Sequence, residues 1–142
     1  PVNGLMVQVN YGFTHATFKD YKDERKGIDY SGNFLPMVPR HTFAVGADYT
    51  IPNLAEIDRF TISANYTGTG RIQWKEDNKI SQPYYGLLNA KVSATKDFIT
   101  FAIWGKNMTG ADYSAFYFET GGKGLAQKGR PFTIGGNIQL NF

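Results

Sequence analysis

The chain has no cysteine, so disulfides and thiolate metal sites are excluded. It has little charge: Asp, Glu, Lys and Arg make up 19%, below the roughly 25% of a typical soluble domain. No apolar run approaches the ~18 residues that a transmembrane helix needs. Helical periodicity is missing too, apart from a short weak signal at residues 53–57. The formal charge is +3, and the Lys and Arg are scattered. That leaves no basic patch for nucleic acid. The two histidines, His15 and His41, sit at the ends of strand-like segments, on the apolar face. Neither has partners in the sequence that would make it a general base, so no catalytic residue and no enzyme is expected. Asp20, Asp23, Glu24 and Asp29 offer oxygen ligands, but Lys and Arg interrupt them and their spacing fits no calcium loop, so neither metal nor cofactor is expected.

What the chain does have is aromatic residues (15%, with nine Tyr and eleven Phe) and sixteen Gly. Mean hydropathy is nevertheless −0.36. A chain rich in aromatics, poor in charge and polar on average suits sheets with one apolar and one polar face. At 142 residues it is long enough for one domain.

Alternation with a period of two runs through the sequence. In residues 5–18 the odd positions are Leu5, Val7, Val9, Tyr11 and Phe13. In residues 41–51 they are His41, Phe43, Val45, Ala47, Tyr49 and Ile51. In residues 60–74 the even positions carry Phe60, Ile62, Ala64, Tyr66, Ile72 and Trp74, with no apolar residue on the odd ones. Residues 84–94 and 99–106 continue the pattern, and so does the last segment, 132–142, which alternates to its final Phe142. About six strands in series predict an all-β antiparallel meander.

The connections alternate in length. Residues 19–40 and 107–129 are long, 75–83 intermediate, and 52–58 and 95–97 short. The short ones all fall at one end of the sheet. Transmembrane β-barrels have this asymmetry, with short periplasmic turns and longer extracellular loops. The strands reach the about 9–11 residues that cross a bilayer, against about five or six in ordinary strands. Tyr49, Phe60 and Phe142 fall toward the short-turn end, and His41, Phe43, Trp74, Tyr84 and Phe132 toward the other, as two interfacial girdles would. Asp48, Arg71, Lys91 and Lys106 lie on the opposite face, where a wet lumen could solvate them and lipid could not.

Several motifs resemble the TonB-dependent outer-membrane receptor family. They are Val38-Pro39-Arg40-His41, the run from Gln82-Pro83-Tyr84-Tyr85-Gly86 to Lys91, the run Trp104-Gly105-Lys106-Asn107-Met108-Thr109-Gly110-Ala111-Asp112-Tyr113, and Gly129-Arg130-Pro131 leading to Phe142. The departures are Met108 and Gly110 where Leu and Asp are common, and Phe132 where Arg often follows the proline. The resemblance implies that residues 1–142 are a C-terminal barrel segment without the plug domain. Whole receptors have about 22 strands; an open six-stranded sheet would leave two edges unpaired in lipid. A fragment completed by further sequence is therefore expected. The chain opens Pro1-Val2-Asn3-Gly4 with no signal peptide, which for an exported protein reads as a processed chain or a fragment.

The resemblance also implies bacterial outer-membrane location and import of a scarce nutrient, such as a ferric siderophore, with energy from the inner membrane. The partners implied are the remaining barrel and plug, the TonB complex, the barrel-assembly machinery and outer-membrane lipid. Tyr113, Phe116, Tyr117 and Phe118 are the candidate ligand contacts, being too many aromatics for a purely solvated loop. Asp48, Arg71, Lys91 and Lys106 are the candidate lumen residues. Phe132, Ile134, Ile138, Leu140 and Phe142 are the candidate assembly signal. Two other readings suit the alternation: a plug-less porin-like or adhesive barrel, and a soluble lipid-binding barrel.

Overall fold

The computed structural model describes residues 2–142. Its main element is one antiparallel six-stranded sheet, in the order β1 (Leu5–Phe13), β4 (His41–Leu54), β5 (Ile57–Thr69), β8 (Tyr85–Lys96), β9 (Ile99–Lys106) and β12 (Thr133–Leu140). The strands follow chain order without crossover, which is a meander. β1 and β12 are its two edges, so the sheet is open. Three small hairpins sit in the long connections: β2 (Lys22–Asp23) with β3 (Ile28–Asp29), β6 (Ile72–Gln73) with β7 (Ser81–Gln82), and β10 (Ser114–Thr120) with β11 (Lys123–Lys128).

The register puts the alternating patterns in phase across the sheet. One row runs Val7–Ala47–Ala64–Ala90–Gly105–Ile134, and the next Leu5–Tyr49–Ile62–Val92–Ile103–Gly136. Between them, on the other face, runs Met6–Asp48–Ser63–Lys91–Trp104–Gly135. A slip of one residue in any strand would carry its whole apolar set to the polar face. Close ring packing fixes some pairs further. The Tyr66 ring lies over Gly86 and the Trp104 ring over Gly135; a Cβ at either glycine would collide with the ring.

The apolar face has no cover. Val9 is 70% exposed, Ile103 65%, and Ile134 and Ile138 66% each. Tyr30, Ile72 and Trp74 are buried instead in the layer of long connections, beyond the end of the sheet. A sheet whose largest apolar residues face outward while its loops hold the packed core suits an apolar surrounding medium.

The two tight connections lie at the opposite end. Asn53 (φ 52°) and Ala55 (φ 55°) turn the chain from β4 to β5, and Asp97 (φ 50°) turns it from β8 to β9. The turns are joined, since the Asp97 N–H donates to Asp58 Oδ2 at 2.6 Å.

Several expected boundaries move. The first strand stops at Phe13 rather than continuing to 18. His15 leaves the sheet and packs edge-on against Phe34, 5.6 Å between ring centroids. The third strand ends at Thr69. Beyond Gly70 the chain turns into β6, so Ile72 and Trp74 are buried under the loops and Trp74 belongs to no exposed girdle. Residues 53–57 carry no helix. The 107–129 connection is a hairpin, with a register shift between Ser114 and Phe116. The last ladder pair is Leu140–Ile99. The terminus is nevertheless held, by the Asn141 N–H on the Phe98 carbonyl at 2.9 Å and by Phe142 stacked on Phe98 at 6.0 Å.

Candidate functional site: a polar wall and the loop layer above it

The polar face of the sheet carries a groove of about 530 Å³, lined among others by Gln8, Asp48, Asn65, Lys91, Trp104 and Lys106. Asp48 and Lys91 are in one cross-strand row with Ser63 between them. Lys106 Nζ lies 5.2 Å from the centroid of the Trp104 ring, a cation–π contact. Among the described residues, no ion pair involves Asp48, Lys91 or Lys106. Arg71 does not join them. It lies beyond the end of β5, exposed, in the loop layer. The alternation of residues 60–69 continues in register through 74, which is why the sequence placed Arg71 on the wall.

The loop layer is held by asparagines. Asn78 (φ 55°) accepts from the Phe34 N–H at 2.8 Å and donates to the Phe34 carbonyl at 2.9 Å. The Asn33 amide donates to the Glu76 carbonyl at 2.8 Å. Together these join connection 14–40 to connection 70–84. Asn107 (φ 48°), only 4% exposed, closes the base of the 107–132 connection. Its amide donates to the Ala111 and Arg130 carbonyls at 2.9 and 3.0 Å, and its side-chain oxygen accepts from the Ala111 N–H. Its own N–H donates to Asn89 Oδ1 at 3.0 Å, and the Asn89 amide donates to Asn65 Oδ1. A continuous hydrogen-bonded chain therefore runs from the polar wall to the base of the hairpin. Asparagine suits both positions because it tolerates the left-handed conformation and replaces backbone partners.

The structure separates the four aromatic candidates. Tyr113 lies at the hairpin base, stacked on Tyr85 at 4.3 Å and 9°. Phe116 and Phe118 share one face of β10, with Leu125 opposite Phe118, and all three are exposed. Tyr117 points to the other face, where its hydroxyl donates to Glu119 Oε1 at 2.9 Å. Lys75 donates to Glu119 Oε2 at 2.8 Å, which ties the hairpin to connection 70–84. The Lys75 bond, and then the Tyr117 bond, hold the Glu119 carboxyl below its usual value. The same bond holds the Lys75 ammonium above its own. A second tie is the nearly buried Gln82, whose Oε1 accepts from the Ser114 N–H at 2.8 Å. Sequence reading missed Asn78, Gln82, Asn89 and Asn107 as organisers; Asn78 followed by a lysine-bearing turn, and Asn107 after a strand end, were the available signals.

Ile134, Ile138 and Leu140 stand on the apolar face, in register with Gly105, Phe101 and Ile99. Phe132 precedes the strand and Phe142 follows it, both exposed.

Known proteins share this architecture. The ferric yersiniabactin uptake receptor FyuA from Yersinia pestis superposes on 99% of the chain with a TM-score of 0.84 at 18% identity. The siderophore receptor PiuA from Acinetobacter baumannii superposes on 96%, with a TM-score of 0.72 at 12% identity. The chain spans 21% and 19% of their respective lengths. A family model described as TonB dependent receptor-like, beta-barrel matches residues 3–108. The chain thus belongs to the TonB-dependent receptor β-barrel family, a family of bacterial outer-membrane receptors and transporters.

Proposed function

We propose that this chain is the C-terminal barrel segment of a transporter that binds a ferric siderophore or similar scarce nutrient and imports it with energy delivered through TonB. The observation that carries the reading is the polarity of the sheet. One face is apolar through the body of the sheet, the other mainly polar, and all the long connections lie at one end. Family membership and the likeness to two siderophore receptors support it.

In this reading the apolar face meets outer-membrane lipid and the polar face the lumen. Asp48, Lys91 and Lys106 face a plug domain or the water around it. The β10–β11 hairpin stands at the extracellular mouth and offers Phe116 and Phe118 to the ligand, whereas Tyr113 and Tyr117 are occupied in packing and tethering. β12, with its exposed Phe132, Ile134, Ile138, Leu140 and Phe142, is what the barrel-assembly machinery recognises. Its free edge pairs with strands outside this chain.

The test uses the intact receptor in cells lacking their own siderophore receptors. Iron-limited growth on a panel of ferric siderophores should be restored, and should vanish without TonB. Rescue that persists without TonB would overturn energy coupling; no rescue by an assembled receptor would overturn the substrate class. Deleting Phe142 should reduce the amount assembled and leave affinity per assembled receptor unchanged. Phe116→Ala with Phe118→Ala should do the reverse.

A further inference from the structure

Asn107 interrupts its ladder. The β8–β9 pairing runs to Ala90–Gly105 and resumes with the Met108 N–H on the Leu88 carbonyl at 2.8 Å. Between them, the left-handed backbone of Asn107 (φ 48°) gives its N–H to a side chain, Asn89 Oδ1, at 3.0 Å. This contact fixes how the next amides are turned. A backbone N–H can only donate, so the Asn89 oxygen faces Asn107 and its amide nitrogen faces away. That nitrogen donates to Asn65 Oδ1 at 3.0 Å, across the β5–β8 ladder. The Asn65 oxygen is thereby engaged, and its own amide nitrogen is the free end of the chain. Among the described residues, no acceptor takes it. Asn65 is exposed and lines the groove of the polar face. Both bonds donate in one direction, from the hairpin base toward the groove. Amides joined head to tail polarise one another, so an acceptor at the open end strengthens the bonds behind it.

We infer that Asn65 is where the wall takes a hydrogen-bond acceptor from the barrel lumen, and that Asn89 passes its occupancy on to the hairpin. The acceptor has the chemistry of a main-chain carbonyl of the plug. A donor would meet only the Asn65 amide nitrogen, since both amide oxygens of the chain are already engaged. A carboxylate would be drawn instead to Lys91 and Lys106, which line the same groove and are in no ion pair among the described residues. Asn65 and Asn89 are thus positioning residues. With the carbonyl seated, the base at Asn107 is tightened, and the hairpin that carries Phe116 and Phe118 is held in place. With the plug withdrawn, the base loosens. The inference rests on the transport reading only for taking the plug as the occupant of the lumen.

The experiment is amide hydrogen exchange of the intact receptor assembled in bilayers, read by mass spectrometry over residues 108–131, with connection 14–40 as the internal reference. Asn89→Ala removes the acceptor of the Asn107 N–H and should quicken hairpin exchange about tenfold. Asn65 makes no hydrogen bond to the hairpin, yet Asn65→Leu should quicken it about twofold. Asn65→Leu added to Asn89→Ala should change nothing further, because its effect passes through Asn89. Asn65→Asp keeps the acceptor for Asn89 and loses only the donor offered to the lumen; it should quicken exchange as Asn65→Leu does. Where Asn89→Ala fails to assemble, Asn89→Asp serves in its place: it keeps the acceptor for Asn107, loses the donor to Asn65, and should make the hairpin insensitive to Asn65→Leu. An equal effect of Asn65→Leu with and without Asn89 would overturn the coupling. Hairpin exchange unchanged by Asn65→Asp would overturn the lumen acceptor. Exchange is measured without siderophore or TonB, so a failed growth rescue and a failed exchange test are separate results.

Discussion

The wall and the loop layer of this molecule are built by opposite means. In the wall, side chains repeat every two residues, glycines lie under rings, and backbone ladders satisfy the amides. In the loop layer there is little ladder; individual amide side chains replace it, and the buried residues Tyr30, Ile72 and Trp74 are there. The wall needs an apolar medium on one side. The loop layer makes its own core. The difference teaches that a polar or apolar substitution in the wall is judged by its face, and one in the loop layer by its hydrogen-bond partners.

The largest effect should come from setting the faces against each other at adjacent positions. Val92 is on the apolar face and Ser93 on the polar one. Val92→Arg should cost up to about 2–4 kcal/mol, since it puts a cation on the apolar face of the wall. Ser93→Arg should be close to neutral. The folded fraction of the intact receptor in bilayers measures both, and equal losses would break the assignment of the faces.

Next comes the loop layer's own anchor. Asn107→Ala should cost about 1–3 kcal/mol, because it leaves the Ala111 N–H and the Ala111 and Arg130 carbonyls without their partner. Asn107→Gly keeps the left-handed backbone and should recover only part of the loss. Amide hydrogen exchange should quicken in residues 108–131 while β5 and β8 stay protected. Equal quickening in the wall would mean that the two regions are one cooperative unit.

The smallest effect concerns the exposed tether of the hairpin. The Glu119 carboxyl is depressed by its Lys75 and Tyr117 bonds, so its contribution is complete above the ordinary carboxylate range and is lost as pH falls through the depressed value. The Lys75 ammonium is raised by the same Glu119 bond, so its contribution is complete below the ordinary lysine range and is lost as pH rises through the raised value. Hairpin amides should therefore exchange more readily, relative to the wall, only at those two extremes. In Glu119→Gln the acid limb should disappear. An unchanged acid limb in that variant would show that another group holds the hairpin.

Much of the wall could be read from the sequence, and the loop layer could not, for a physical reason. Alternation is local, so Phe60, Ile62, Ala64 and Tyr66 announce their strand and its face without reference to the rest of the chain. The same rule overran at Arg71, Ile72 and Trp74, where the pattern persists but Gly70 lets the chain leave the sheet. Asn78 and Phe34 are distant in sequence, and nothing near either residue foretells their pairing. The aromatic candidates show both limits at once. Their number in one connection was informative, but the alternation that sends Phe116 and Phe118 one way and Tyr117 the other appears only with the hairpin register.

By itself the sequence determined the all-β meander, the apolar and polar faces and the end at which the long connections lie, because each follows from short-range periodicity and connection length. Only the tertiary structure decided that Asn107 links the wall to the hairpin and that Asn78 joins two of the long connections through Phe34. Those relations join segments far apart in the chain, and a segment's own pattern carries no record of the partner it will meet.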